Sequence, residues 1–296
     1  MQFAFALQNK VPHCGSLMTL SISNHKRSFI YSLEKGLSLL SLFSQRGPQL
    51  SLSELGKAAD MGLGTATRYV QTLMELGYLH RDPLTKKYRL APKILSLGFS
   101  LLKDMDLRDR VTPYLSEINR EFGVGAQCAI LDESEIVYVE RFRARALVAL
   151  DLTVGSRIPA YCTALGRAIL AFMDPNAMKR IVEKMEMVSL TPYTITNKKD
   201  LFRELDLTRK RGYAVNIQEL VMGQVGLAAP IFQGALVEGA FGFTSPHLLD
   251  DKDLAATLIE RMLKIAEKVS IGPRSRRQEA DQDGTPKGSK ILWMKK

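Results

Sequence analysis

The sequence has few cysteines and no long apolar run. Its three cysteines, Cys14, Cys128 and Cys162, are odd in number and widely spaced. This argues against a disulfide framework and against a zinc site built from paired cysteines, and it fits a reducing, cytosolic compartment. No stretch of about 18 consecutive apolar residues occurs, so no membrane-spanning helix is predicted. The first residues lack a basic start before a long apolar segment, so a secretory signal is not expected.

The sequence also lacks the short motifs that mark common enzyme sites. It contains no HExxH, no Walker-type GK[ST] and no GxSxG motif. Cys162 is a conceivable nucleophile at a helix N-terminus, but it would need a general base. Only His247, of four histidines, lies in the C-terminal part of the chain, and nothing in the sequence places it near Cys162. We therefore interpret Cys162 as a buried thiol beside a pocket, and we predict no catalytic residue, cofactor or metal.

Positive charge is abundant and unevenly distributed. The formal net charge of the 296 residues is +10. Residues 26–93 contain eleven lysine and arginine residues against five acidic ones, and residues 272–296 contain seven against three. The part between is almost neutral. A basic N-terminal segment favours an anionic partner, such as nucleic acid or an anionic membrane surface.

Residues 29–91 show the element order of a winged helix-turn-helix. Apolar spacing predicts a helix over 32–45, with Leu33, Leu37, Leu40 and Phe43 along one side. A second helix, "SELGKAAD", has Ser53 as its predicted N-cap, and a third runs from about 64 to 76 and ends at Gly77. Two short strands, "YLHR" and "KYRL", flank the turn "DPLTK". The glycine pair in "GLGTATRYV" does not indicate a phosphate-binding loop, because no strand precedes it.

The rest of the chain is predicted to be a linker helix followed by an α+β domain with an antiparallel sheet. The linker occupies residues 92–108 and the domain residues 109–272. The domain opens with the helix "VTPYLSEINREFG", with Pro113 in its first turn, and continues with the strands "VGAQCAIL", "EIVYVERF" and "LVALDLTV". Residues 1–28 are expected to be disordered or a misassigned start, with Met18 as an alternative first residue. Residues 273–296 are expected to form a disordered basic tail.

Four segments in order carry a family resemblance. They are "SLSELGKAADMGLGTATRYVQTLMELGYLHRD", "VGSRIPAYCTALGRAILAF", "LTPYTITNKKDLFRELDLTRKRGYAVNIQEL" and "GLAAPIF". Together they make residues 30–272 resemble the IclR family of bacterial transcriptional regulators. The resemblance implies a DNA-binding winged helix-turn-helix, a linker helix that dimerises and a GAF-like effector-binding domain. It also implies homodimers or homotetramers on pseudo-palindromic operators. The segment "DLTVGSRIPAYCTALGRAILA" is most similar to the branch that senses aromatic acids or aromatic-catabolism intermediates, such as protocatechuate, 4-hydroxybenzoate or β-ketoadipate.

The candidate DNA-binding residues lie on the second and third helices and on the hairpin. Hydroxyl groups and N-terminal amides suit phosphate contacts, and Arg and Gln side chains can contact purine edges in the major groove. Basic hairpin residues suit phosphates or the minor groove. The alternatives are a solvated helix face and ordinary charge on an edge hairpin. The candidates are Ser53, Thr65, Thr67, Arg68, Gln71, Arg81, Lys86 and Lys87.

The candidate effector-binding residues lie at the start of a helix and on the later strands. Cys162, Thr163, Ala164 and Leu165 follow "RIPAY", where a helix N-terminus offers free amides to a carboxylate. The resemblance places the family's pocket here, and it matches further pocket-lining positions to Asn216, Gly226, Gly242 and Thr244. The alternative for the two glycines is a bulge or close packing.

The combined expectation is a cytoplasmic, ligand-responsive transcriptional regulator. Its partners would be double-stranded operator DNA, a small organic acid and a second copy of itself, without a membrane. Two alternatives remain at this point. One is a small-molecule-binding enzyme with an accessory winged helix, and the other is a protein that coats DNA without sequence specificity.

Overall fold

The computed structural model describes residues 29–145 and 152–272. They form two compact units, which divide between residues 104 and 105. The predictions for 1–28, for 273–296 and for most of the strand "LVALDLTV" lie outside the described residues. None of the described helices is both long enough and apolar enough to cross a membrane.

The N-terminal unit has the predicted winged helix-turn-helix order. The antiparallel hairpin pairs His80 with Arg89 at its centre. The elements in chain order are α1 (Tyr31–Arg46), α2 (Leu52–Ala58), α3 (Leu63–Glu75), β1 (Leu79–Arg81), β2 (Tyr88–Leu90) and α4 (Lys93–Lys103).

The buried side of α1 differs from the predicted one. Leu39, Leu42 and Phe43 are buried, whereas Leu33 and Leu37 are more than half exposed. The core of this unit is built from α1, α2, α3 and the hairpin, and among the α1 residues it buries only those from Leu39 onward. The first two turns of α1 extend beyond that core, so helical spacing alone overstated the length of the buried stripe.

The N-cap of α2 is Ser51, and the prediction of Ser53 was wrong. The Ser51 hydroxyl accepts a hydrogen bond from the backbone N–H of Glu54 at 3.3 Å, and the Glu54 carboxylate accepts one from the N–H of Ser51 at 2.7 Å. This reciprocal capping box requires Glu or Gln three residues after the cap. Ser53 has Gly56 at that position and lies inside the helix. The predicted end of α3 is confirmed, because Gly77 has a φ of 77°.

The C-terminal unit is α+β with one six-stranded antiparallel sheet, as predicted. The strand order across the sheet is β5-β4-β3-β8-β7-β6. The helix α6 packs on β7, β8 and α8. The elements in chain order are α5 (Asp106–Phe122), β3 (Gly125–Asp132), β4 (Glu135–Phe142), β5 (Arg157–Pro159), α6 (Ala164–Phe172), α7 (Pro175–Lys184), α8 (Lys198–Arg211), β6 (Ala214–Ile217), β7 (Val225–Gln233), β8 (Leu236–Ser245) and α9 (Lys252–Val269).

The boundary between the linker and the second unit lies earlier than predicted. The linker helix α4 ends at Lys103, and α5 begins at Asp106. Leu107 is buried in the C-terminal unit, so residues 106–108 belong to α5. Pro113 therefore lies inside α5 and not in its first turn. Pro113 had suggested a helix start, because proline is favoured at the first helical position.

Two elements of the C-terminal unit were missed. The helix α7 follows Asp174, whose side chain accepts a hydrogen bond from the N–H of Ala177 at 2.9 Å. Asp174 followed by Pro175 is a helix-start signal, so the sequence did contain it. The strand β5 pairs with β4, while residues 152–154, at the end of the predicted strand "LVALDLTV", are not in a strand.

Candidate functional site

A cavity opens between the start of α6 and the sheet of the C-terminal unit. Its volume is about 420 Å³, including the open mouth. Seven of the eight candidate effector residues line it, namely Cys162, Thr163, Ala164, Leu165, Asn216, Gly226 and Thr244. The structure adds seven lining residues that the sequence did not indicate, namely Gln127, Tyr138, Leu220, Val221, Gln224, Val225 and Leu227.

The sheet side of the cavity is a row of residues in register across four strands. Asn216 pairs with Gly226, Gly226 with Thr244, and Thr244 with Gly125. Directly paired residues project to the same face of a sheet. Gly226 lacks a side chain, and a Cβ added there would lie 3.4 Å from the Cβ of Ala164. The sheet and α6 therefore approach closely at Gly226, with room for about one methyl group.

The helix side of the cavity is the N-terminus of α6. The Thr163 hydroxyl caps the helix, because it accepts a hydrogen bond from the N–H of Gly166 at 3.0 Å. Ala164 and Leu165 are the first two helical residues, whose N–H groups have no intrahelical acceptor. The helix dipole adds partial positive charge at this end. This side of the cavity is thus suited to an anionic group.

Asn216 positions the chain just before α6. Its side-chain Nδ2 donates a hydrogen bond to the carbonyl of Cys162 at 2.8 Å. One of its two amide N–H groups is therefore committed to the protein and not to a ligand. Asn216 links the edge strand β6 to the segment that opens the helix.

Cys162 is a protonated thiol under ordinary conditions. It is fully buried, and its Sγ donates to the carbonyl of Pro159 at 3.3 Å. Burial raises the pKa of the Cys162 thiol to about 12. A thiol in this state is a poor nucleophile. Within residues 29–145 and 152–272, no group of His, Cys, Asp and Glu side chains is arranged to hold a metal ion.

Gly242 does not line the cavity, which corrects the sequence prediction. A Cβ at this position would lie 2.0 Å from the carbonyl oxygen of Leu227 and 2.9 Å from the Cα of Ala228. Both atoms belong to the backbone of the neighbouring strand. The glycine at 242 is needed for close packing of β7 and β8.

Gly242 and Gly226 make a matched pair for a stability measurement. We expect Gly242→Ala to lower the free energy of unfolding by about 1–3 kcal/mol or more, because the added Cβ would overlap backbone atoms of the neighbouring strand. We expect Gly226→Ala to be neutral or stabilising by up to about 1 kcal/mol. The added Cβ makes ordinary van der Waals contacts, and alanine lowers the conformational entropy of the unfolded chain. Urea denaturation followed by circular dichroism measures both. Equal effects of the two substitutions would contradict this assignment.

A buried ion pair lies next to the cavity. Arg167, on the first turn of α6, is 1% exposed, and Glu219 is 8% exposed. The Arg167 Nη1 donates to Glu219 Oε1 at 2.6 Å, and its Nη2 donates to Glu219 Oε2. The remaining Nε donates to the carbonyl of Tyr161 at 2.8 Å. The pair ties the start of α6 to residues 218–224, which supply Leu220, Val221 and Gln224 to the cavity.

The same loop is also held from the segment before α8. The hydroxyl of Thr191 donates to the carbonyl of Gln218 at 2.7 Å, and that of Thr194 donates to the carbonyl of Glu219 at 2.6 Å. The N–H of Ile195 donates to Glu219 Oε2 at 3.1 Å. The carboxylate of Glu219 is thus hydrogen-bonded from two directions. This network was not predicted, since its members are far apart in sequence.

In the N-terminal unit, α3 presents most of its candidate residues on one exposed face. Thr65, Arg68 and Gln71 are exposed at a spacing of three residues. Thr67 is half-buried, and its hydroxyl donates to the carbonyl of Leu63 at 2.8 Å within the helix. Ser53 is exposed on α2, with its Oγ 3.1 Å from the Oγ of Ser51. The face available to a partner therefore consists chiefly of Thr65, Arg68 and Gln71.

The hairpin presents its basic residues beside a closed turn. Asp82 accepts hydrogen bonds from the N–H groups of Leu84 and Thr85 at 2.9 and 2.8 Å, which shapes the turn. The guanidinium of Arg81 lies 5.7 Å from the centre of the Tyr88 ring. Arg81 and Lys86 are exposed, and Lys87 is half-buried.

If this hairpin contacts DNA phosphates, Lys86→Gln will reduce the salt dependence of DNA binding. Each phosphate contact releases condensed counterions, so we expect the slope of log K against log salt concentration to fall in magnitude by about 0.9. Fluorescence anisotropy on a DNA duplex at several salt concentrations measures the slope. Lys210→Gln is the control, since Lys210 is exposed on α8 in the other unit. A slope that is the same for both variants would argue against a phosphate contact at Lys86.

Comparison with known proteins identifies both units. The family model described as "IclR helix-turn-helix domain" matches residues 32–83, and the one described as "Bacterial transcriptional regulator IclR C-terminal" matches residues 99–271. The Pca regulon regulatory protein of Pseudomonas putida is 32% identical over 208 residues, which cover 70% of this chain and 71% of that protein.

Solved structures show the same architecture. The crystal structure of the IclR protein of Thermotoga maritima is 26% identical, with a TM-score of 0.65, and the match covers 81% of this chain and 98% of that one. An IclR homologue from Microbacterium hydrocarbonoxydans, crystallised in complex with 4-hydroxybenzoate, is 23% identical, with a TM-score of 0.71. That match covers 81% of this chain and 97% of the other, and it shows a shared fold.

Proposed function

The chain belongs to the IclR family of bacterial transcriptional regulators, and on that premise we propose that its cavity binds a small organic acid that controls binding to operator DNA. The chain is a ligand-responsive regulator and not an enzyme. What is proposed is the class of effector, the residues that bind it and the residues that contact DNA. We place this activity in the cytoplasm, where operator DNA is found.

The N-terminus of α6 is the observation that carries the proposal of an acid. It brings the N–H groups of Ala164 and Leu165, which have no acceptor within the helix, and the positive end of a helix dipole to the wall of the cavity. Among the described residues that line the cavity, none carries an acidic side chain. A carboxylate is therefore the group that this wall would bind best.

The remaining walls favour an aromatic or otherwise planar acid. Leu165, Leu220 and Tyr138 supply apolar surface around this polar wall. Ligand sites typically combine such apolar walls with a few placed polar groups. The similarity to a Pca regulon regulatory protein supports testing acids of aromatic catabolism first.

We further propose that α3 reads the operator and that the hairpin contacts its backbone. The exposed row of Thr65, Arg68 and Gln71 is suited to the major groove, and Arg81 and Lys86 are suited to phosphates. An exposed apolar surface on α4 supports self-association, since Leu95, Leu97, Phe99 and Leu101 are each about 60% exposed. Sedimentation equilibrium tests this, and a purely monomeric chain would contradict it.

A gel-shift assay tests the proposed function as a whole. The probe is DNA that flanks the chain's own coding region, at physiological salt and with competitor DNA. The ligand panel contains protocatechuate, 4-hydroxybenzoate, benzoate and β-ketoadipate. We expect a discrete shift that one of these acids strengthens or weakens, because a ligand changes affinity through its differential binding to two states. Binding that competitor DNA abolishes would favour sequence-independent coating of DNA.

A further inference from the structure

Gln127 is a polar residue buried in the cavity wall without a complete set of partners. It lies on β3 and is 2% exposed. Its side-chain Oε1 is buried and has no hydrogen-bond partner among the described residues. Buried polar atoms in folded proteins are nearly always hydrogen-bonded, so an exception calls for a physical explanation. Because Gln127 also lines the cavity, a bound ligand is a direct explanation.

Gln127 lies away from the helix N-terminus that suits a carboxylate. Ala164 contacts the sheet over Gly226 on β7, whereas Gln127 is on β3, with β8 between these strands. Two strand spacings correspond to about 10 Å. A small acid whose carboxylate lies at the start of α6 would therefore direct its far end toward β3.

Thr244 places a second polar atom beside Gln127. A Cβ added to Gly125 would lie 2.6 Å from the Thr244 Oγ1 and 3.5 Å from the Gln127 Oε1. Both atoms are therefore on the same side of the sheet and near one another. A single ligand hydroxyl can donate to the Gln127 oxygen and accept from the Thr244 hydroxyl, since a hydroxyl group is both donor and acceptor.

We propose that Gln127 selects effectors that carry a hydroxyl group at the end opposite their carboxylate. This rests on the proposed function, because it assumes that the cavity takes an acid at the N-terminus of α6. The amide oxygen accepts the hydroxyl proton, and Thr244 holds the hydroxyl oxygen. An acid without that hydroxyl leaves the buried amide unsatisfied and binds less tightly.

Isothermal titration calorimetry of the full chain with a matched pair of acids tests the proposal. The probes are 4-hydroxybenzoate and benzoate, which differ by one hydroxyl, with 3-hydroxybenzoate as the positional isomer. We expect wild-type protein to bind 4-hydroxybenzoate about 10- to 100-fold more tightly than benzoate, because the unpaired amide penalises the analogue that lacks the hydroxyl. In Gln127→Leu we expect this preference to fall to within about threefold, with benzoate affinity unchanged or higher.

A second variant and a stability measurement distinguish a loss of ligand selectivity from misfolding. Thr244→Val removes only the second partner, so we expect it to reduce the preference partly. Gln127→Leu removes a buried unpaired amide oxygen, so we expect a melting temperature no lower than that of the wild type.

The outcomes separate this inference from the proposed function. A hydroxyl preference that persists in Gln127→Leu, or a wild-type protein that binds both acids equally, would overturn the role of Gln127 and leave the organic-acid effector standing. Failure of the wild type to bind any acid of the full panel would overturn the proposed effector class and this inference together.

Discussion

Replacing Arg167 with methionine is expected to lower the free energy of unfolding of the C-terminal unit by about 3–5 kcal/mol. The substitution leaves the Glu219 carboxylate buried without its guanidinium partner. A buried charge that loses its counter-charge keeps its full desolvation cost. The substitution also removes the Arg167 Nε–H that donates to the Tyr161 carbonyl. Urea denaturation followed by far-ultraviolet circular dichroism measures the change.

Two further variants show whether the effect comes from the buried charge. Arg157→Met removes an arginine whose side chain is 43% exposed and which pairs with Asp132 and Glu135. We expect it to cost less than about 1 kcal/mol, because water screens exposed pairs. The double variant Arg167→Met/Glu219→Leu replaces the pair with apolar groups and should recover much of the lost stability. A double variant as unstable as Arg167→Met alone would show that the residual charge is not the cause.

The same ion pair links stability to the shape of the cavity. Residues 218–224 supply part of the cavity wall, and their first residues are held by Arg167, Thr191 and Thr194. A double variant that recovers stability still lacks the paired hydrogen bonds that fix this loop. Its effector affinity should therefore remain below that of the wild type, since precise placement of a wall depends on directional contacts. Ion pairs of this kind can be retained for specificity as well as for stability.

The order of the elements was predictable because each helix end has a local cause. Gly77, Gly123 and Gly212 each adopt a positive φ at the end of a helix, a position where glycine is the favoured residue. Errors arose where two local signals competed. Ser51 and Ser53 are both suitable caps, and only the position of Glu54 distinguishes them. Pro113 suggested a helix start although it lies inside α5.

The site was predictable only in part. The start of α6 could be located because Thr163 is a normal N-cap before an apolar helix, and the family resemblance indicated the strands that face it. Gln127 and Arg167 could not be assigned in this way. Each is a polar residue within an apolar segment, which indicates burial with a partner but does not identify the partner. Arg167 and Glu219 are 52 residues apart, and only the folded chain brings them together.

The second large effect is expected in DNA binding. We expect Arg68→Ala and Gln71→Ala each to lower specific operator affinity by about 5- to 150-fold, which corresponds to about 1–3 kcal/mol for the loss of a bidentate base contact. Both side chains are exposed on the same face of α3, so neither substitution removes packing. Fluorescence anisotropy measures the affinity on an operator duplex selected from random-sequence DNA, with a scrambled duplex alongside.

Arg68→Lys distinguishes base recognition from simple charge. Lysine keeps the positive charge but lacks the planar, two-pronged donor arrangement of arginine. We therefore expect Arg68→Lys to retain most of the binding to the scrambled duplex and to lose most of the preference for the selected one. Arg46→Ala removes an exposed positive charge from the last turn of α1, outside the exposed α3 row, and should change that preference little. If Arg68→Lys and Arg46→Ala both leave the preference intact while Arg68→Ala weakens binding to both duplexes equally, Arg68 contacts phosphates. The bases would then be read by other residues of the exposed α3 face, of which Gln71 is the first to test.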